Sequence, residues 1–134
     1  MILLDTHSLL WLTDGDVRLG RQARQAIEDA PALCFSAITA WELAMLVAGA
    51  KLALPVTPAT MLNKLTEDGR IIEVPVGTEI ALDAGAMPRT IHGDPCDRII
   101  MATARALNCP LLTADRKILA YAAAGHVRAI DARV

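Results

Sequence analysis

Aromatic residues are scarce. Two Trp, one Tyr and one Phe make up 3% of the 134 residues. That excludes a platform of stacked aromatics for nucleobases. Cysteine is also sparse: Cys34, Cys96 and Cys109 are widely spaced, with no Cys-x-x-Cys pair. Neither a zinc ribbon nor a disulfide framework is encoded, and a reducing, cytoplasmic compartment is expected. No sign of charge dominates, with 13 basic residues against 15 acidic and a net charge of −2. A protein that coats a polyanion is usually basic, so the global charge gives no such indication. Bound divalent cations would nevertheless reverse the sign locally.

Uninterrupted apolar runs are missing too. The stretch from Ala30 to Ala50 has Glu42 as its only charge, but Pro31, Ser36 and Thr39 interrupt it. A central carboxylate is costly in lipid, so the stretch reads as a buried strand plus a buried helix, with no membrane partner. Residues Met1 to Asp5 contain no basic segment, so no signal peptide is expected. What is abundant is Ala, Leu, Ile and Val. Hydrophobic residues reach 54% and charged residues 21%, which excludes a disordered chain. The length suits a single domain over residues 1–134, able to bury its own core. No repeat, low-complexity tract or linker interrupts it.

Short apolar runs at Ile2–Leu4, Leu33–Phe35, Ile71–Val74, Pro110–Leu112 and Val127–Ile130 read as five strands. Helical patterns fall between them at Ser8–Leu12, Arg21–Asp29, Ala37–Ala48, Thr57–Glu67, Gly77–Ala84, Asp94–Leu107 and Asp115–Ala123. Thr57-Pro58 and Asp94-Pro95 each place a capping residue before proline at the first helical position. Residues Asp14–Gly20 and Met87–Gly93 read as loops. Strands alternating with helices imply a three-layer α/β/α fold around a central, mostly parallel five-stranded sheet. Ligands of such sheets bind beyond the carboxyl ends of the strands.

Four acids fall at that edge. Asp5 directly follows the first strand and Asp115 closely follows the fourth. Glu42 lies near the start of the helix after the second strand, and Asp97 in the first turn of the helix feeding the fourth. Helical phase places Ile38, Met45, Leu46 and Gly49 on the face of Glu42, and Ile100, Met101 and Ala104 on that of Asp97. Both acids thus point along apolar stripes that contain no Lys or Arg. Unpaired carboxylates there are costly, and a hard cation, Mg²⁺ or Mn²⁺, is the natural compensation. Each acid also has a plainer reading. Thr39-x-x-Glu42 fits a capping box. Asp94 and Asp115 fit N-caps, and Asp97 fits a first-turn acid favoured by the helix dipole. Asp5 alone has no evident local partner. The conjunction of four is stronger than any member.

The blocks Leu3–His7, Ser36–Leu43, His92–Arg98 and Leu112–Asp115, in this order and spacing, make the chain resemble the PIN-domain ribonucleases. The resemblance is to the VapC group of bacterial toxins, and runs through nearly the whole sequence. It implies Mg²⁺- or Mn²⁺-dependent endonucleolytic cleavage of RNA, with Asp5, Glu42, Asp97 and Asp115 as the acidic residues and Thr113 at the family's hydroxyl position. Asp5 and Asp97 are then the principal metal ligands. Glu42 and Asp115 complete the shells, and Thr113 bonds a carboxylate or the attacking water. Of the two acids in the third block, helical phase and the family pattern both favour Asp97 over Asp94. The resemblance also implies a VapB-like antitoxin partner and a homodimer. Trp11, Trp41, Met45, Leu46 and Val47 agree with this, because they give the early helices more apolar surface than a small domain readily buries. Their plainer reading is that they belong to the core.

His7 and His92 read as proton carriers or, more simply, as surface or loop-ordering residues. Lys51, Arg98, Arg116 and Lys117 read as phosphate contacts or as solvated charge. Three rival functions share the scaffold. A Mg²⁺-dependent phosphotransfer or phosphatase domain needs a second acid near Asp5, but Thr6 and His7 follow it. A catalytically silent binding module has no need of four intact acids. A DNA-directed nuclease is expected to carry insertions that this short chain lacks.

Overall fold

A computed structural model describes residues Met1–Val134. In chain order the elements are β1 (Ile2–Leu4), α1 (Thr6–Asp14), α2 (Arg21–Asp29), β2 (Leu33–Ser36), α3 (Ala37–Ala48), α4 (Pro58–Thr66) and β3 (Ile71–Val74). Then follow α5 (Thr78–Ala86), α6 (Pro95–Leu107), β4 (Leu111–Thr113), α7 (Arg116–Ala123) and β5 (Ala129–Asp131). The five strands form one sheet in the order β3-β2-β1-β4-β5, and all four pairings are parallel. The expected "mostly parallel" sheet is therefore wholly parallel. The chain steps from β1 outward to β3, then crosses back to lay β4 on the other side of β1. The order reverses between β1 and β4, so the crevice for a ligand opens there.

Alternation along the short strands builds the layers. Ile2, Leu4, Leu33, Phe35 and Leu112 join side chains of α1, α2 and α4 on one face. Leu3, Cys34 and Leu111 join α5, α6 and α7 on the other. Helix α3 sends Leu43 into the first core and packs Ile38 against the second. Leu3, Leu4, Leu111 and Leu112 have no exposed surface, so truncating any of them to Ala costs ~2–5 kcal/mol. No helix is long and apolar enough to cross a membrane. The three cysteines are free and buried.

Several boundaries differ from the sequence reading for identifiable reasons. Helix α1 starts at Thr6 because Asp5 caps it, and ends at Gly15 in the left-handed region at φ 62°. The last strand starts at Ala129 rather than Val127, because pairing with β4 begins at Leu111↔Ala129. Val127 is instead a core residue.

The loop between α5 and α6 is held by Arg98. Its guanidinium donates to the carbonyls of Ala84 (3.0 Å), Gly85 (3.1 Å), Met87 (2.5 Å) and His92 (3.2 Å). This side chain is thereby a clamp, and its expected phosphate role is withdrawn because its donors are committed. Arg98→Ala should lower unfolding free energy by ~2–3 kcal/mol in urea titration, since carbonyls facing a charged donor lose it. Arg98→Lys should restore little, because a single ammonium cannot fork across four carbonyls.

Candidate active site

The carboxyl edge at the switch point is a cleft of about 350 Å³ lined by Asp5, Glu42, Asp94, Asp97 and Asp115, among others. Asp5 is 6% exposed. Its Oδ1 accepts the backbone N–H of Ser8 at 2.8 Å, and its Oδ2 accepts the hydroxyl of Thr113 at 2.5 Å. The expectation that Asp5 lacks a local partner is corrected: a helix begins at the next residue, and Asp5 is its N-cap. Thr113 ends β4 and is fully buried. Having donated to Asp5, its oxygen accepts the backbone N–H of Asp115 at 3.0 Å. One hydroxyl thus ties the end of β1 to the end of β4. Of the two contacts expected for Thr113, the carboxylate is the one it makes.

Asp115 caps α7, with Oδ1 accepting the N–H groups of Lys117 (2.8 Å) and Ile118 (3.0 Å). Its Oδ2 lies 3.0 Å from Nε2 of His92, and Oδ2 of Asp97 lies 3.2 Å from the same nitrogen. Asp94 is the cap of α6, its Oδ1 accepting from Cys96 at 2.8 Å and Asp97 at 3.2 Å. The capping reading of Asp94 and Asp115 is correct, yet both also border the cleft.

His92 is not a surface residue, being 7% exposed. Its Nδ1 accepts the backbone N–H of Asp94 at 3.1 Å, which orders the loop before α6. An Nδ1 that accepts leaves the ring proton on Nε2, facing Asp97 and Asp115. Here His92 is a donor that draws two carboxylates together. The oxygens of that pair and a ring nitrogen of His92 all lie within 4.8 Å of one another. Asp5 and Glu42 line the cleft outside this trio.

Glu42 is half-buried and makes no hydrogen bond or ion pair. The capping box is absent. Ser36 caps α3 by accepting from Ile38 at 3.2 Å, while the Thr39 hydroxyl meets that of Thr6 at 3.1 Å. Glu42 lies in the second turn and has no orphan N–H to satisfy. Its apolar stripe is not a core stripe either: Met45 is 46% exposed, and α3 buries only Thr39 and Leu43. Helices α4, α6 and α1 pack against α3 but leave Trp41, Ala44, Met45 and Ala48 exposed. The stripe of Asp97 is buried as expected, with Ile100, Met101 and Ala104 in the core. Among the early apolar residues, Trp11 is core and Trp41 is 55% exposed.

The cleft is electrostatically strained. Burial raises the Asp5 carboxyl above its ordinary range, against the lowering effect of Thr113 and Ser8. Asp97 is pushed up to about 7, first by burial, then by the charge of Asp94; His92 opposes this. Burial would raise Asp115 as well, but the hydrogen bond from His92 and the N–H groups of Ile118 and Lys117 outweigh it and hold it low. The two partners of His92 thus move in opposite directions. The nearer one, already fixed by backbone donors, keeps its charge.

Carboxylates that resist ionising side by side lack positive charge. Carboxylate oxygens are the donors a hard cation prefers, and the group whose ligand atoms lie together, Asp97, Asp115 and His92, adds one nitrogen to them. A larger cavity of about 550 Å³ between the end of α1, α4 and the start of β3 is mainly apolar, and has no comparable group of acids. Of the basic residues expected near the edge, Lys51, Arg116 and Lys117 are exposed and do not line the cleft. Arg18 and Arg133 do. No spacing rule pointed to them, since one sits in a polar loop and the other past the last strand.

A parallel α/β/α sheet with a carboxylate cleft at its switch point defines the class. The chain belongs to the PIN domain family, whose model matches residues 2–124. It is 35% identical to Ribonuclease VapC22 of Mycobacterium tuberculosis over 120 residues, 90% of this chain and 91% of that protein. Among solved structures, it is similar to a toxin–antitoxin complex from Klebsiella pneumoniae (TM-score 0.67, 22% identity, 98% and 97% of the chains covered). It is likewise similar to VapBC-1 from nontypeable Haemophilus influenzae (TM-score 0.67, 22% identity, 98% of each chain). At that identity these likenesses support the fold.

Two measurements probe the strain. Asp97 sits above its ordinary range when folded, so its ionisation at neutral pH opposes folding. Asp97→Asn should therefore raise the melting temperature of metal-free protein at pH 7.5, by of order 1 kcal/mol or a few degrees. Thr113→Val removes the donor from a buried carboxylate and should cost ~1–3 kcal/mol by chemical denaturation, with Thr113→Ser recovering most of it.

Proposed function

We propose that this chain is a metal-dependent endoribonuclease, the toxin of a toxin–antitoxin pair. Residues 1–134 act as one domain, in the cytoplasm, where its three unpaired thiols suit a reducing milieu. The observation that carries this reading is the convergence of Asp5, Glu42, Asp97 and Asp115 on one cleft from positions far apart in sequence. Support comes from the 35% identity to a ribonuclease over 90% of the chain.

Asp5 and Asp97 are the principal ligands of Mg²⁺ or Mn²⁺, and Glu42 and Asp115 complete the donor set. When bound, the ion supplies Lewis acidity, lowering the pKa of a water and offsetting charge on the phosphodiester. Thr113 fixes the Asp5 carboxylate by its short hydrogen bond. His92 holds Asp97 and Asp115 at a common nitrogen and thereby keeps the two helix starts in register. Both are positioning residues. Glu42, with no partner of its own, is the carboxylate free to reorient toward an incoming group. No Lys lines the cleft, and Thr6 and His7 follow Asp5 where a phosphatase needs a second acid, which disfavours phosphorylation of Asp5. RNA is the substrate, and a VapB-like antitoxin and a second copy are the protein partners. The exposed Trp41 and Met45 on α3 offer apolar surface for such contacts.

Antitoxin-free protein incubated with a structured RNA pool should give discrete products in Mg²⁺ or Mn²⁺. EDTA should abolish them, and Asp97→Asn should reduce cleavage at least ~100-fold, the scale lost when preorganised charge at the reacting group is removed. Cleavage that survives both EDTA and the substitution would overturn the metal mechanism.

A further inference from the structure

The cleft has a basic wall that the carboxylate chemistry leaves unused. Arg18 and Arg133 line it beside Trp11. Both guanidiniums lie over the indole, with Cζ of Arg18 at 5.0 Å and Cζ of Arg133 at 5.7 Å from the ring centre. That is within cation–π range. Trp11 is only 5% exposed, so the platform is fixed. The two arginines differ in commitment. Arg18 is bound through Nε and Nη2 to Asp16, with a contact of 2.7 Å. Arg133 is exposed and makes no ion pair, although five carboxylates border the same cleft.

The backbone holds Arg133 in place. On one side, Ala132 donates its N–H to the carbonyl of Thr113 (2.8 Å) and accepts from the N–H of Gly20 (2.9 Å). On the other, the Val134 carbonyl accepts from the N–H of Gln22 at 2.8 Å. A Cβ at Gly20 would come within 2.4 Å of the Val134 backbone, so glycine is needed for this approach. Arg133 therefore projects from a strap fastened at both ends. One fastening is Thr113, whose hydroxyl holds Asp5.

The geometry points to a phosphate-binding subsite formed by Arg133, with Arg18, on the face of Trp11, which grips the RNA strand next to the scissile bond. The inference rests on the nuclease reading above. A polyanion entering a cleft of five carboxylates is repelled wherever no cation offsets them. Ions held by the carboxylates would offset charge only at the phosphodiester being cut, so the neighbouring phosphates need their own counter-charge. A guanidinium that lies over an indole and makes no ion pair has its N–H groups available to phosphate oxygens. Such contacts set register and affinity without reading sequence.

Tryptophan fluorescence tests this directly, because Trp11 and Trp41 are the two tryptophans of the chain. In a Trp41→Phe, Asp97→Asn background, Trp11 is the sole reporter and cleavage is suppressed. Titration with a single-stranded RNA oligonucleotide in Mn²⁺ should change its emission. Adding Arg133→Ala should weaken binding about tenfold and flatten the dependence of log Kd on log salt by about one. Arg133→Lys should keep most of that slope. In proteins that retain Asp97 and Trp41, Arg133→Ala should raise KM for RNA cleavage about tenfold while kcat stays within about twofold, a split that a general loss of structure would not give. Gly20→Ala, which unfastens the strap without touching the charge, should reproduce the rise in KM. Wild-type cleavage beside an Arg133→Ala variant with unchanged KM and salt slope would overturn the subsite alone. A wild-type protein that neither binds nor cuts RNA in Mn²⁺ would remove the nuclease reading first, and the subsite with it.

Discussion

Mutual repulsion among carboxylates is the constraint around which this molecule is organised. Left to themselves, Asp5, Asp97 and Asp115 would move apart or bind protons. Three kinds of donor hold them together. Helix starts supply backbone N–H groups to Asp5 and Asp115. Thr113 supplies a hydroxyl to Asp5. His92 supplies an imidazole N–H to Asp115 and brings the same nitrogen within 3.2 Å of Asp97. Each donor is itself positioned by a strand end or a turn, so the cleft records the sheet's geometry closely. The raised titration of Asp97 is the residue of repulsion that these donors leave uncorrected. Perturbed carboxylates of this kind cluster at functional sites.

Much of this was legible in the sequence because it depends on local rules. Apolar runs of three or four residues revealed all five strands, and Asp-Pro and Thr-Pro pairs marked two helix starts. Helical phase separated Asp97 from the capping Asp94, since only Asp97 shares a face with Ile100 and Met101. The same rule misjudged Glu42, because phase reports a stripe and not what covers it, and α3 is left partly bare. Features set by tertiary approach were invisible. Nothing near His92 shows that its ring turns inward to two acids from different helices. Nothing near Arg98 shows four carbonyls waiting for it. Arg133 reaches the cleft only because the chain past β5 crosses Gly20.

The acids serve two purposes at once. Asp5, Asp94 and Asp115 each cap a helix and border the cleft. A parallel sheet makes this economy possible, because a helix that follows a strand and a helix that feeds the next strand both begin at the same edge. The cap and the candidate ligand can therefore be one side chain, with one oxygen turned to the helix and the other toward the cleft or its donors. Glu42 stands apart: it caps nothing, is bonded to nothing, and is the most adaptable of the set.

The crossing from β3 back to β4 has a consequence for how such a protein is made. Asp5 is synthesised early, and its partner Thr113 follows 108 residues later. Until β4 has left the ribosome and slotted beside β1, the cleft lacks one wall and its central hydrogen bond. Until then β1 has a strand on one side alone, and the Asp5 carboxylate has only the Ser8 N–H to hold it.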